Sequence, residues 1–290
     1  MSKPFITRFA PSPTGLLHLG HAFSALLAYR TAQKNHGRFL LRIEDIDTTR
    51  SRPEFEDAIY RDLTWLGLTW EIPVRCQVDH FDDYQEALNQ LDDKGVLYPC
   101  FCSRAEIRQE IKNSTGAPHG PEGPLYPGTC RKLLEEEKAE KIKNNLPFAI
   151  RLNTEKALKV VGENLFFKEN GTKIKADPKN LGDVVLGRKE TPSSYHLSVV
   201  VDDHLQNITH IIRGQDLFHT TPIHCLLQKL LGFQTPEYHH HALLVGEDGK
   251  RFAKRDKSIT LESLKKDGRT ISEIERLIAG CGGSLEELPF

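Results

Sequence analysis

Residues 8–21 read RFAPSPTGLLHLGH. A short apolar run, Phe5 to Phe9, precedes this Pro- and Gly-rich stretch, and after it Ala22, Leu26, Leu27 and Tyr29 recur with a helical period over residues 19–34. The stretch therefore reads as the loop of a strand-to-helix unit. Next comes RFLLRIEDID, whose residues 38–43 form a continuous apolar run of the buried-strand type and end on Glu44, Asp45 and Asp47. Amphipathic helices are predicted over 54–66 and 79–94, the second closed by Gly95. Beyond Pro99 the pattern breaks into a Gly/Pro-rich loop, TGAPHGPEGPLYPGT, and a Lys/Glu-rich helix. It returns in YHLSVVVDDHLQNITHIIRGQDLF, with two apolar runs that each end in charge, and in HALLVGEDGKRFAKRDK. Strands alternating with helices of ten to fifteen residues predict an α/β fold with a parallel sheet, interrupted by a central insertion.

The 290 residues are long enough for two domains or for one domain carrying a large insertion. Lys plus Arg, 39, and Asp plus Glu, 40, leave a formal net charge of -1, so a polyanionic partner has to be met by local basic patches. MSKPFITRFAPSPTG lacks the apolar core of a signal peptide, and no apolar stretch approaches the roughly 18 residues of a membrane span. A cytoplasmic protein without membrane contact is expected, with its six cysteines as thiols or metal ligands rather than disulfides.

Ligands of open α/β sheets sit beyond the carboxyl ends of the strands. The predicted strands end near Arg8, at Glu44 and Asp45, and at Arg213, so three apolar runs deliver charge of both signs to one edge. That mixture suits a zwitterion: an arginine holds a carboxylate while Glu44 pairs an ammonium. In the opening stretch Gly15 and Gly20 allow close backbone approach, the helix start offers free N–H groups, and His18 and His21 add donors. A phosphate cradle, a metal-binding histidine pair and a plain helix cap all fit those residue types. The basic run Lys250-Arg251-Phe252-Ala253-Lys254-Arg255 suits a solvated face, a nucleic-acid patch or the neutralisation of transferring phosphates.

RFAPSPTGLLHLGH, RFLLRIEDIDTTR, DLTWLGLTWE and YHLSVVVDDHLQNITHIIRGQDL, in that order, resemble the catalytic domain of the class I glutamyl-tRNA synthetases, HLGH matching the family's HIGH element. The resemblance covers nearly the whole chain. It implies a Rossmann-type catalytic domain with an inserted zinc-binding subdomain and a short helical C-terminal segment. The halves of the catalytic domain would span 1–97 and 186–250, the insertion 98–185, and the lysine loop with the terminal helices 251–290. By the same resemblance Arg8, Ser12, Glu44, Tyr195 and Arg213 hold L-glutamate, and His18, His21 and Lys254 bind ATP and carry the catalysis, with Mg2+ accompanying the nucleotide. RFAKR keeps only Lys254 of the lysines in the family's KMSKS loop, and Val199 stands where the family has Asn.

The chain ends at Phe290 without a region matching the family's anticodon-binding domain. That feature, Val199 and the cysteine pattern narrow the resemblance to the glutamyl-queuosine tRNA(Asp) synthetases. They imply a monomer that activates glutamate without tRNA and attaches it to queuosine in the anticodon loop of tRNA(Asp). A glutamyl-tRNA synthetase lacking its C-terminal part, and a non-catalytic glutamate- or nucleotide-binding regulator, are the rival expectations.

Cys100, Cys102 and Cys130 offer three thiolates, and structural zinc takes four ligands. By ligand chemistry the fourth is His119, whereas the resemblance nominates Tyr126 through YPGTC; three idle thiols are the bland alternative. Cys76, Cys225 and Cys281 have no partner at ligand spacing and read as packing residues.

Overall fold

The computed structural model describes residues 4–113, 119–120, 123–162, 164–188, 191–245, 260–286 and 288, with the backbone alone for those of 111–124. The first unit is β1 (Ile6–Phe9), α1 (Leu19–Lys34) and β2 (Arg38–Ile43), followed by α2 (Pro53–Trp65), β3 (Arg75–Cys76) and α3 (Phe81–Asp93). β1, β2 and β3 pair in parallel, with Arg8 opposite Leu40 and Arg42 opposite Arg75. The turn into β2 needs glycine: a Cβ on Gly37 would stand 2.4 Å from the Phe5 carbonyl oxygen.

The central segment contributes β4 (Leu97–Cys100), α4 (Arg104–Asn113), the short pair β5 (His119–Gly120) and β6 (Gly123–Pro124), α5 (Glu135–Lys143), β7 (Ala149–Leu152) and α6 (Thr154–Val161). A hairpin, β8 (Phe166–Glu169) and β9 (Thr172–Lys175), and β10 (Val185–Arg188) complete it. The last part of the chain is α7 (Tyr195–Leu205), β11 (His210–Gly214), α8 (Thr221–Leu231), β12 (Glu237–His241), α9 (Leu261–Lys266) and α10 (Ile271–Gly280).

β11 and β12 pair in parallel and abut β1 through Thr209, whose N–H donates to the Ile6 carbonyl at 2.9 Å while its hydroxyl accepts from the Ile6 N–H at 2.8 Å. Strand alternation sends Phe39, Leu41 and Ile43 into a core with α1, α2, α9 and α10, and sends Leu40 into a second core with α3, α7 and α8. Helices thus cover both faces of the sheet, which explains the unbroken apolar run of β2.

The 98–185 segment is interlocked with the halves on either side of it. β4, β7 and β10 make their own antiparallel sheet, but β8 pairs in parallel with β12, setting Tyr238 opposite Glu169. The apolar run of YHLSVVVDDHL forms the helix α7. Its Leu197, Val199, Val200, Val201, Asp202 and Asp203 are all buried, so no polar face marks a period.

Arg42, the largest fully buried side chain, points from β2 into the second core. Its guanidinium lies 2.8 Å from Asp203, 3.7 Å from Asp202 and 3.2 Å from Glu44. Asp202 also accepts from Arg75 at 2.7 Å and from the Tyr84 hydroxyl at 3.0 Å, which draws β3 and α3 into the same lattice. Removing one member leaves buried charge unpaired, so Arg42→Ala should lose about 3–5 kcal/mol of unfolding free energy. Urea denaturation checks this, and a loss below about 1 kcal/mol would mean that the lattice is not what joins β2 to α7.

Candidate functional site

At the carboxyl edge of the sheet lies a cleft of about 1270 Å³. Arg8, Ser12, His18, His21, Glu44, Tyr195 and Arg213 all line it, so the structure brings together every predicted site residue of the catalytic halves except Lys254, which lies outside the described residues. Arg50 in the turn before α2, Arg104 on α4 and Arg188 on β10 line it as well. With a formal net charge of -1 for the whole chain, they concentrate positive charge where a polyanion would enter.

The two site arginines differ in their charge balance. Arg8 is buried and its Nε lies 2.9 Å from Asp203, which it shares with Arg42. Burial pushes the Asp203 carboxyl up, but Arg8 and Arg42 outweigh it and hold the group below the ordinary range. Glu44 is pushed up by burial, against the pull of Arg42 and Arg8. Arg213 is also buried, yet among the described residues no carboxylate pairs with it. Its contacts are neutral: the His240 Nε2 at 3.0 Å, the Thr221 hydroxyl at 2.8 Å, the Leu217 carbonyl at 3.2 Å, the His224 Nδ1 at 3.3 Å and the Tyr195 hydroxyl at 3.5 Å. Burial, then the charge of Arg213, holds His224 well below the usual imidazole range. Burial likewise pushes the Tyr195 phenol up, so it stays a neutral hydroxyl. The cleft is therefore lined both by a guanidinium with no carboxylate partner among the described residues and by a carboxylate, Glu44, an arrangement complementary to an amino acid that carries an extra carboxylate.

His18 and His21 begin α1 as a capping box. The His18 Nδ1 accepts from the Gly20 N–H at 3.1 Å and the His21 Nδ1 accepts from the His18 N–H at 3.1 Å. The ring centroids lie 3.8 Å apart, their planes tilted by 35°. With Nδ1 accepting, each neutral ring carries its proton on Nε2. The cap reading and the cradle reading are thus compatible, since the cap fixes two imidazoles at a helix N-terminus within the cleft. Thr260 pairs with His18 as an isolated bridge and the Leu261 N–H donates to the Leu17 carbonyl at 2.9 Å, so the chain just after the basic run is anchored to the same loop.

In the central segment the Cys100, Cys102 and Cys130 sulfurs lie within 4.8 Å of one another, those of Cys102 and Cys130 at 3.3 Å. The Tyr126 hydroxyl is 3.3 Å from the Cys100 sulfur and 3.6 Å from that of Cys102, and its ring is stacked under Arg151 at 4.0 Å. A tetrahedral metal with 2.3 Å thiolate bonds sets its sulfurs about 3.8 Å apart, so this cluster could hold a metal. The Tyr126 hydroxyl faces these sulfurs, whereas the side chain of His119 lies outside the described residues. Burial pushes the Cys102 thiol up to about 12; at Cys130 the bonds from Tyr126, Cys102 and the Phe101 N–H outweigh burial and lower it. Of the remaining cysteines, Cys225 is buried in the second core, and Cys76 and Cys281 pack against the first.

Sequence reasoning missed Arg42, Asp202, Asp203, Glu169, Thr221, His224 and His240. The DD pair directly after VVV was the available signal, since two adjacent acids in an apolar helix need buried cations. His240 and Glu169 meet only through strand pairing, and nothing local announces them.

Residues 5–286 match the family model for the catalytic domain of class I tRNA synthetases (E and Q). A glutamyl-Q tRNA(Asp) synthetase of Rhodobacter capsulatus is 46% identical over 94% of this chain and 99% of that protein. A glutamate–tRNA ligase of Aquifex aeolicus is 40% identical over 90% of this chain and 54% of its own length. Among solved structures, a glutamate tRNA ligase of Elizabethkingia meningosepticum in complex with its amino acid superposes with a TM-score of 0.73 and 29% identity, over 88% of this chain and 52% of that one. The chain thus spans about half the length of the glutamate–tRNA ligases that it matches.

The Asp203 pairing sets an acid limit to the fold. Because its folded pKa is depressed, its stabilisation is complete above the unfolded value of about 3.9 and is lost as pH falls through the lower folded value. The stability gap between the wild type and Asp203→Asn should therefore be constant from pH 7 to about 5 and narrow below about 4 in denaturation titrations. A gap unchanged down to pH 3 would contradict the ionised pairing.

Proposed function

The chain belongs to the family of class I tRNA synthetases of the E and Q type, and we propose that it activates L-glutamate with ATP and transfers it to queuosine in the anticodon loop of tRNA(Asp). The carrying observation is the convergence, in one cleft, of Glu44 and the buried Arg213, which has no carboxylate partner among the described residues, with the two imidazoles at the start of α1. The acceptor is inferred from the likeness, nearly end to end, to the glutamyl-Q tRNA(Asp) synthetase of Rhodobacter capsulatus.

Arg213 and Arg8 hold the glutamate carboxylates, Glu44 takes the ammonium, and Tyr195 and Ser12 complete the pocket. The α-carboxylate attacks the α-phosphorus of ATP, forming glutamyl-adenylate and releasing pyrophosphate. His18 and His21 donate through Nε2 to the phosphates, and Lys254 neutralises the charge that grows on them. Support for Lys254 comes from its flanks: Leu244 lines the cleft and Thr260 is bridged to His18. A hydroxyl of the queuosine cyclopentene-diol then attacks the adenylate carbonyl, and AMP leaves. No covalent enzyme intermediate is needed, so the site works by alignment and preorganised charge. Magnesium travels with the nucleotide. Arg50, Arg104 and Arg188 meet the phosphates of the anticodon loop.

Cys100, Cys102, Cys130 and Tyr126 hold a structural zinc ion. The bound ion would fix the chain at the end of β4 beside the small apolar cluster of Tyr98, Cys100 and Cys130.

Two outcomes follow. Queuosine-modified tRNA(Asp) should accept labelled glutamate while unmodified tRNA(Asp) and tRNA(Glu) do not, and pyrophosphate exchange should need glutamate but no tRNA. Charging of tRNA(Glu) instead would make the protein a 3′-end synthetase, and absent exchange would make it a binding protein. Cys102→Ser should bind at least tenfold less zinc by metal analysis and glutamylate tRNA more slowly, while retaining exchange activity. An unchanged metal content would remove the cysteine cluster as the zinc site.

A further inference from the structure

Arg213, buried and with no carboxylate partner among the described residues, is held by a carboxylate it never touches. Arginine only donates, so the His240 Nε2, 3.0 Å from the Arg213 Nε, must accept. The His240 Nδ1 then carries the proton, and it faces the Glu169 Oε2 at 2.8 Å. The other carboxylate oxygen accepts from the His240 backbone N–H, also at 2.8 Å. The ring is almost wholly inaccessible to solvent and Glu169 nearly so. Thr221 braces both ends, its hydroxyl 2.8 Å from the Arg213 Nη2 and 3.3 Å from the His240 Nε2. A parallel order governs the other side of the guanidinium: the His224 Nδ1 accepts from Nη1, which leaves its Nε2–H to donate to the His196 Nδ1 at 3.2 Å.

We propose that Glu169 and His240 are positioning residues for amino-acid binding: Glu169 locks His240 in the tautomer that aims the Arg213 guanidinium into the cleft, while the interposed ring keeps the Glu169 charge from capturing it. The contrast with Arg8 carries the argument. Arg8 touches Asp203 directly and shares that acid with Arg42, whereas Arg213 is oriented through one neutral ring and meets no protein carboxylate among the described residues. Glu169 lies on β8, within the inserted segment, and reaches His240 because β8 pairs with β12. The insertion thereby shapes the amino-acid pocket as well as the metal cluster. This inference rests on reading Arg213 as a glutamate-binding group.

The test is glutamate-dependent pyrophosphate exchange without tRNA. Glu169→Gln is nearly isosteric, but its amide offers one oxygen to two N–H donors. The His240 proton moves to Nε2 to relieve the mismatch and then confronts the Arg213 N–H. The KM for glutamate should rise about tenfold, the loss of one well-aimed charge-assisted bond, with kcat and the KM for ATP within about twofold. His240→Phe should raise the glutamate KM similarly. His240→Gln, whose own amide oxygen can accept from Arg213 without help from Glu169, should recover most of that loss and make the added Glu169→Gln change nearly silent.

An unchanged glutamate KM in Glu169→Gln, or equal KM values for the Phe and Gln variants at position 240, overturns the proposal. Should Glu169→Gln fail to fold by circular dichroism, the comparison at position 240 decides alone. Arg213→Lys in the same assay separates the premise from the inference. If it leaves the glutamate KM unmoved, the reading of Arg213 fails; if it raises the KM while Glu169→Gln does not, only the positioning role fails.

Discussion

A single carboxylate, Asp203, sits between two buried guanidiniums, and the architecture of the cleft follows from that pairing. Two cations side by side in a low-dielectric interior repel strongly, and a buried acid between them removes the penalty. The acid comes from α7, while the cations come from β1 and β2, so charge neutralisation is also what registers the second half of the catalytic domain on the first. Asp202 extends the lattice to Arg75 and Tyr84. Beneath the cleft there is thus a floor of paired charge. Above it, Arg213 has only neutral partners among the described residues, and this difference between two buried arginines is what the cleft offers to a ligand.

The central segment is tied to that floor at two places of different character. The cysteine cluster organises one end through sulfur chemistry and a small apolar group. The other end is joined by backbone pairing, where the β8–β9 hairpin continues the sheet beyond β12. A segment that reads in sequence as an interruption is therefore partly a continuation of the sheet. The consequence is proximity: an acid more than seventy positions before His240 in the chain lies against that ring, which in turn touches Arg213 in the cleft.

Much of this was legible before any coordinates. The run RFLLRI reads as a strand buried on both faces because it is one, and the charges after it fall at the cleft because parallel strands deliver their carboxyl ends together. Arg8, Glu44 and Arg213 could be read from that rule alone. Asp203 could not be placed, because α7 is buried all round and gives no amphipathic period to distinguish it from a strand. Glu169 and His240 were illegible for another reason: each is an ordinary residue of a short strand, and only long-range pairing makes them neighbours. The roles of His18 and His21 were half legible, since the capping geometry shows why two histidines three apart occur there without requiring a metal.

The measurement that bears most directly on the account is a crystal structure with a non-hydrolysable glutamyl-adenylate analogue. The account predicts the glutamyl carboxylate against Arg213, the ammonium against Glu44 and the adenylate phosphate over the start of α1 at His18 and His21. An analogue seated away from Arg213, or one that leaves Arg213 turned toward a protein carboxylate, would contradict it.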